Sequence, residues 1–331
     1  MKSTTILVTG GAGYIGSHMA KTLLDAGLGV VTIDNLSGGY RDAVIGGSFI
    51  EGDISDPQLV QRVLTEHQVS AVMHFASFIQ VGESVLNPGK YYRNNLANTV
   101  LLLETMRACG IKKFIFSSSA AVYGEPERVP IPESHPKLPL NPYGRSKWMV
   151  EQVLSDLDRA CDFKSVSLRY FNAAGADPSG VLGERHEPET HLIPLVLRAA
   201  SGAAPTVKVF GHDYDTPDGT CIRDYVHVAD LCQAHLLALE SLLDAGESAA
   251  FNLGNGNGFS VREVIETAER VTGRNIPTIL ASRRPGDPAR LVADSSLVRA
   301  RLNWRPRYEQ LDTIIEHAWV WEQKRSSAGR E

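Results

Sequence analysis

A glycine-rich turn between an apolar run and a helical one constrains this chain more than any other feature. Thr5-Ile6-Leu7-Val8 predicts a short buried strand, residues 18–26 carry helical apolar spacing, and between them stands Thr9-Gly10-Gly11-Ala12-Gly13-Tyr14-Ile15-Gly16. A strand that turns this tightly into a helix needs residues without Cβ atoms, so that backbone N–H groups at the positive helix end can close on a pyrophosphate. Gly11, Gly13 and Gly16 fit the dinucleotide spacing, and Gly10 adds a second reading, Gly-x-x-Gly-x-x-Gly. Taken alone the glycines are also compatible with an ordinary turn. The next strand decides: Val30-Val31-Thr32-Ile33 runs into Asp34, 18 residues past Gly16, where a carboxylate accepts from the adenosine ribose hydroxyls and repels a 2′-phosphate. The expectation is NAD rather than NADP, on an α/β fold with a Rossmann-type doubly wound parallel sheet.

The rest of the chain must then supply a second lobe, because single cores stop growing at roughly 250–300 residues and this chain has 331. With 43% hydrophobic and 21% charged residues the composition is that of an ordinary globular protein, not a disordered one. A formal net charge of -5 and no dense basic tract beyond Arg283-Arg284 give no support to nucleic-acid binding. Cys109, Cys161, Cys221 and Cys232 form no Cys-x-x-Cys pair and read as buried reduced thiols. The first strand begins almost at once and no apolar run approaches membrane-spanning length, so a cytoplasmic protein without a membrane partner is expected.

Further strands follow in register with a parallel sheet. Phe49-Ile50-Glu51 ends at Gly52-Asp53-Ile54, where Asp53 either meets the adenine amino group or caps the helix that follows. Ala71-Val72-Met73-His74-Phe75 is a buried strand whose exit, Phe75-Ala76, lies against the cofactor, while His74 inside it reads as a packed core residue. A helix over 91–109 sets Leu96, Val100, Leu103 and Met106 on one side, with Asn94 and Asn95 facing either the nicotinamide riboside or the neighbouring backbone. Lys113-Phe114-Ile115-Phe116 leads into Ser117-Ser118-Ser119, three hydroxyls at a strand mouth that suit ligand binding. Asn141-Pro142-Tyr143-Gly144-Arg145-Ser146-Lys147 opens a capped helix with Tyr143 and Lys147 on one face. A free phenol has a pKa near ~10; an ammonium beside it, joined by oxidised nicotinamide, favours the phenolate and makes an acid-base device. Elsewhere Tyr-x-x-x-Lys is usually a solvated helix face, and the preceding motifs are what favour the functional reading. His186, His191, His212 and Asp213-Tyr214-Asp215 show no defensible ligand spacing, and no metal is expected.

These stretches, with Val81-Gly82-Glu83-Ser84, Phe116 through Gly124, Arg169-Tyr170-Phe171-Asn172, Arg223 through Val228 and Arg284-Pro285-Gly286-Asp287, resemble the extended short-chain dehydrogenase/reductases, most closely their UDP-hexose 4-epimerase branch. The likeness spans nearly the whole chain. It implies a cofactor site of Gly10, Gly13, Tyr14, Ile15, Gly16, Asp34, Asn35, Asp53, Ile54, Phe75, Ala76, Asn95, Tyr143, Lys147, Tyr170 and Phe171. It implies Tyr143, Lys147 and Ser119 as catalytic residues, and Ser119, Asn172, Leu192, Val209, Arg223, Arg284 and Asp287 on substrate positions. The arginines suit a nucleoside diphosphate, though Arg223-Asp224 has a plain salt-bridge reading as well. Three positions depart from the pattern: Ile79 replaces a lysine near the cofactor, His191 a frequent asparagine beside the substrate, and Leu291 a tyrosine that narrows the sugar pocket in some relatives.

The implied reaction converts UDP-galactose and UDP-glucose: Tyr143 removes the 4-hydroxyl proton as a hydride leaves C4, the 4-keto sugar turns its other face, and both return. Leu291 leaves room for N-acetylated sugars, and pentose or uronate substrates stay open. Ala120 and Ala121 stand where related dehydratases carry an Asp-Glu pair, which disfavours elimination. A cofactor-sensing regulator without turnover is disfavoured by the intact Ser119, Tyr143 and Lys147. The expected division is 1–172 for the NAD-binding domain, joined by 224–257, and 173–331 for a smaller α/β nucleotide-sugar lobe, mainly 173–223 and 258–331. The resemblance also implies a homodimer through the helices near 91–109 and 148–157.

Overall fold

The structure, a computed structural model of the chain, describes residues 4–284 and 287–328, so that Pro285 and Gly286 of the Arg-Pro-Gly-Asp stretch lie outside the described residues. Strands β1 (Thr5–Thr9), β2 (Gly29–Asp34), β3 (Ser48–Glu51), β4 (Val69–His74), β5 (Lys113–Ser119) and β6 (Lys164–Tyr170) are joined by helices α1 (Tyr14–Asp25), α2 (Pro57–Glu66), α3 (Val81–Leu86), α4 (Pro88–Tyr91), α5 (Asn98–Ala108) and α6 (Pro142–Cys161). A later strand, Ala249–Leu253, pairs with β6, giving a seven-stranded sheet whose order places β3, β2, β1, β4, β5 and β6 in succession. All its pairings are parallel. The order reverses between β1 and β4, the place where open parallel sheets leave a ligand crevice.

Both faces of this sheet are covered, which is why its strands read as near-continuous apolar runs. Val8, Met19, Ile115, Leu168 and Leu231 pack on one face; Leu7, Val31, Val72, Leu103, Phe114 and Val150 pack on the other. Helix starts follow local chemistry. Asp56 caps α2 by accepting from the N–H groups of Gln58 and Leu59 at 3.0 and 3.1 Å, and Asn141 caps α6 by accepting from Gly144 N–H at 2.9 Å. The helical stretch before α5 departs from regular spacing: Tyr92–Ala97 forms a π-helical turn. That extra residue rotates the buried side to Asn95, Thr99, Leu102, Leu103 and Met106, leaving Leu96 and Val100 only half-buried.

Beyond β6 the chain forms a separate apolar cluster. It gathers Ile193, Val196 and Leu197 from a helix at Leu192–Ala200, Val209 from a strand at Val207–Phe210, Val264 and Ala268 from Val261–Thr272, and Ile314 and Ile315 from the last helix. Cys221 and Cys232 are buried, whereas Cys109 and Cys161 are only half-buried because each sits at the end of a surface helix. Among the described residues no helix is long and apolar enough to cross a membrane.

Candidate active site

The glycine turn is as tight as its composition demands. A Cβ on Gly16 would stand 2.2 Å from the Gly10 carbonyl oxygen, and one on Gly10, whose φ is +72°, would stand 2.5 Å from the Ala76 nitrogen. Helix α1 is capped by Gly13 with no side-chain cap and no acidic residue in its first turn, an arrangement that suits an anion at its N-terminus. Asp34 ends β2 nearly buried; its carboxylate accepts from Ala12 N–H at 2.9 Å and from Leu36 N–H at 2.8 Å. Each oxygen keeps a second acceptor site for a hydroxyl, and burial raises the pKa against those bonds. Asn35 donates to Asp53 at 2.6 Å, and Asp53 also accepts from Ser55 N–H. Since Asp56 takes the α2 cap, the capping alternative for Asp53 falls away. Ile54 packs into the core under β2, and Phe75 lies 5.1 Å from the His235 ring. These groups stand at the carboxyl ends of β1, β2, β3 and β4, the edge at which open parallel sheets bind ligands.

Asn95 is fully engaged with protein: it accepts from Phe78 N–H and donates to Phe78 C=O, both at 2.9 Å. It braces the loop after β4. His74 is a core residue, bonded to Thr9 at 2.7 Å and Thr99 at 3.0 Å and stacked on Phe114 and Phe116.

At the ends of β5 and β6 the sequence-selected side chains meet. Tyr143 and Lys147 are buried, 9% and 2% exposed, and Lys147 Nζ lies 5.8 Å from the centre of the Tyr143 ring while donating to the Ser117 carbonyl at 2.8 Å. Burial pushes Lys147 down to about 7, with Glu151 partly restoring it. Burial also raises the Tyr143 phenol, and the neighbouring Ser119 hydroxyl lowers it. The expected depression of this phenol is therefore not a property of the side chains alone; desolvation outweighs the hydrogen bond to Ser119. Of the three serines, only Ser119 joins Tyr143. Ser117 bonds Tyr170, and Ser118 turns to the opposite side to donate to Glu151 at 2.5 Å, as alternation along a strand requires.

Glu151, absent from the sequence reading, completes the series 143, 147, 151 on one face of α6. It receives Arg169 through paired hydrogen bonds, and Arg169 reaches Tyr123, which donates to Asn252 at 2.6 Å. The i, i+4 repeat was the available signal. Phe171 packs with Val122, Tyr123, Ile131, Trp148 and Leu291 in an apolar patch beside this network.

The residues that the resemblance sets on substrate positions lie in the later part of the chain. Asn172 donates to the Asp224 carbonyl at 2.9 Å. Leu192 begins its helix and Val209 is buried in the second cluster. Arg223 pairs with Asp287, 64 residues away, while Asp224 is fully buried and accepts from the N–H groups of Asn255, Gly256 and Ala293. The salt-bridge reading of Arg223 therefore holds, but its partner is the distant Asp287 and not the adjacent Asp224. Arg284 lies over the Phe210 ring at 4.1 Å. Ile79 is exposed on its loop. Asp213 pairs with Arg283, whereas His186 and His191, separated along the chain, converge with Glu184 and Glu189.

Comparison with known proteins agrees with this architecture. Residues 6–254 match the NAD dependent epimerase/dehydratase family. The UDP-glucose 4-epimerase of Halalkalibacterium halodurans is 52% identical over 316 residues, which cover 96% of this chain and 95% of that one. The crystal structure of UDP-glucose 4-epimerase from Brucella ovis in complex with NAD is 49% identical with a TM-score of 0.94, covering 96% and 98%. The UDP-Glc/GlcNAc 4-epimerase of Campylobacter jejuni is 45% identical with a TM-score of 0.85, covering 97% and 100%. From its glycine turn to the strand at Ala249–Leu253, this chain belongs to the NAD dependent epimerase/dehydratase family.

Proposed function

We propose that the chain is an isomerase, an NAD-dependent 4-epimerase that interconverts UDP-galactose and UDP-glucose. The observation that carries this reading is the convergence of Ser119, Tyr143 and Lys147 at the strand ends, next to the dinucleotide cradle. Tyr143 takes the proton from the sugar 4-hydroxyl and later returns it, with Ser119 sharing that proton. Bound NAD supplies what side chains lack, a ring that accepts a hydride from C4 and gives it back. Lys147, anchored on Ser117 C=O, holds the ribose and contributes the positive charge that burial of Tyr143 makes necessary. Gly10, Gly13, Tyr14, Ile15, Gly16, Asp34, Asn35, Asp53, Ile54, Phe75, Ala76, Tyr170 and Phe171 form the cofactor wall, with Asn95 bracing it. Asn172, Leu192, Val209, Arg223, Arg284 and Asp287 form the wall for the nucleotide end. Binding strength concentrated on the diphosphate leaves the sugar free to turn between the two hydride transfers.

The first domain is 1–172 with 224–257, and the remainder is the nucleotide-sugar lobe. The chain works as a homodimer paired through α5 and α6, which carry the exposed apolar residues Leu101 and Met149. Its four free thiols favour the cytoplasm. To test the activity, purified protein is incubated with UDP-galactose without added cofactor; UDP-glucose should accumulate to equilibrium. No interconversion by protein that carries NAD would remove the assignment.

A wider sugar range is a second reading. Leu291 packs beside Val122, Tyr123, Ile131, Trp148 and Phe171, and the Campylobacter jejuni relative is a UDP-Glc/GlcNAc 4-epimerase. UDP-N-acetylgalactosamine should therefore also turn over. Leu291→Tyr should reduce kcat/KM for it about tenfold or more relative to UDP-galactose, since a filled pocket costs on the order of 1–3 kcal/mol; an unchanged ratio would show that Leu291 does not set the choice.

A further inference from the structure

The irregular segment 184–191 leads into the helix at Leu192–Ala200, and of its residues only His191 stands at a position that the resemblance sets beside the substrate. Its sequence is Glu184-Arg185-His186-Glu187-Pro188-Glu189-Thr190-His191. The chain curls there so that Glu184, His186, Glu189 and His191 each bring one donor atom within 4.8 Å of the others. No helical or finger-like spacing announces this, because the convergence is made by a coil.

Two observations separate a ligand site from a self-contained ion-pair cluster. The side chains of Glu184 and Glu189 are only 5% and 1% exposed. Glu189 spends Oε1 on the N–H groups of Thr190 and His191, at 2.8 and 3.0 Å, and its buried Oε2 has no hydrogen-bond partner. Nδ1 of His186 is likewise buried without a hydrogen bond, although it stands 3.3 Å from Glu184 Oε1 and 3.5 Å from Glu189 Oε1. Buried polar atoms without partners are uncommon and call for a ligand, a strain or a chemical role. As an ion-pair cluster His186 stands between the two carboxylates but Glu189 Oε2 stays unbonded, whereas a cation shared by the four side chains gives both carboxylates and both imidazoles a partner. The spacing suits one: zinc bonds of about 2.0–2.2 Å to nitrogen and oxygen set tetrahedral edges of roughly 3.3–3.5 Å.

We propose that Glu184, His186, Glu189 and His191 bind one divalent transition metal of the zinc class. Two imidazoles favour such an ion over magnesium or calcium, which take oxygen ligands, and two carboxylates neutralise its charge. His191 Nδ1 and Glu184 Oε1, now hydrogen-bonded to each other, move apart as the ion replaces the proton between them. Four protein ligands close the coordination sphere, so the role is structural. The surroundings show what it fastens. Arg185 lies over Tyr40 at 3.4 Å and pairs with Asp42 in the loop after β2. His186 meets the edge of the Tyr14 ring at 6.4 Å, Trp321 donates to the Glu184 carbonyl at 3.0 Å, and His191 directly precedes Leu192. The ion would tie the mouth of the dinucleotide cradle to the helix at the opposite wall.

The test uses the full chain with its bound dinucleotide, stripped with a chelator and titrated with zinc chloride against a chromophoric competitor. Atomic emission then gives the stoichiometry. One zinc per chain is expected, and zinc should raise the thermal midpoint of the stripped wild type. Glu189→Gln, close to isosteric, should weaken binding on the order of a hundredfold or more, since even outer partners of a ligand account for 10–100-fold, and should abolish the thermal shift; His186→Ala should do the same. If His186→Ala does not fold, Glu189→Gln and the wild-type stoichiometry decide. Substoichiometric zinc with no thermal shift, or binding untouched by Glu189→Gln, would overturn the proposal and leave an ion-pair network only. None of these readouts depends on sugar turnover.

Discussion

Tyr143 shows how far a single side chain can be read in advance. Its spacing to Lys147 was visible because a helix puts i and i+4 on one face, and the capping Asn141 and Pro142 marked where that helix starts. Its electrostatics were not visible, because burial is a tertiary property and here it raises the phenol. The same limit explains the serine run: sequence shows three hydroxyls, while the pleat decides that Ser118 faces Glu151. If Tyr143 carries the proton, Tyr143→Phe should lower turnover about 10²–10⁴-fold, the range for a general base, with the NAD content of the purified protein unchanged. Near-normal turnover would refute the role.

Among elements, α6 does two jobs with one face. Its first two turns present Tyr143 and Lys147, and its third presents Glu151, buried against Arg169 of β6. The strand, turn and helix at the start of the chain were legible because glycine leaves no alternative at Gly10 and Gly16. The π-helical turn at Tyr92–Ala97 was not, since nothing in the apolar spacing distinguishes it from regular helix. Nor did any local pattern reveal the Glu151–Arg169–Tyr123–Asn252 chain, whose members lie up to 129 residues apart. Glu151→Ala leaves the Arg169 guanidinium buried without its carboxylate, and breaking such a pair should cost about 3–5 kcal/mol. Urea unfolding should show this as a lowered midpoint at constant slope; a loss below about 1 kcal/mol would mean water replaces the carboxylate.

For the whole molecule, the middle of the sheet was legible because β1, β2, β4 and β5 are apolar runs ending in polar residues, whereas β6, Lys-Ser-Val-Ser-Leu-Arg-Tyr, carries no such run. Which distant segments meet there was not: the partnership of Arg223 with Asp287, and the coil that gathers two histidines, depend on how loops return. Buried histidines also give the fold a pH dependence of definite sign. Burial, with some help from Lys147, pushes His74 down to about 3 from an ordinary 6.5. Above pH 6.5 both folded and unfolded chains hold it neutral, and its contribution is complete. As pH falls below 6.5 only the unfolded chain takes the proton, so stability declines until the folded value is reached. Between pH 6.5 and 5 this histidine should remove about 2 kcal/mol, and His74→Gln should decline correspondingly less in urea titrations at the two pH values. Equal declines would place the proton uptake elsewhere.

The Tyr14 hydroxyl donates to the Gly175 carbonyl at 2.7 Å. Tyr14 opens α1, the helix after the glycine turn, and Gly175 directly follows the strand at Asn172–Ala174, so this bond ties the start of the chain to the segment that leads away from β6. If NAD leaves by way of this junction, its residence time measures local opening rather than affinity alone. Tyr14→Phe should therefore shed NAD faster on dilution into cofactor-free buffer, read by its release through a membrane; an unaltered release rate would mean that the gate lies elsewhere.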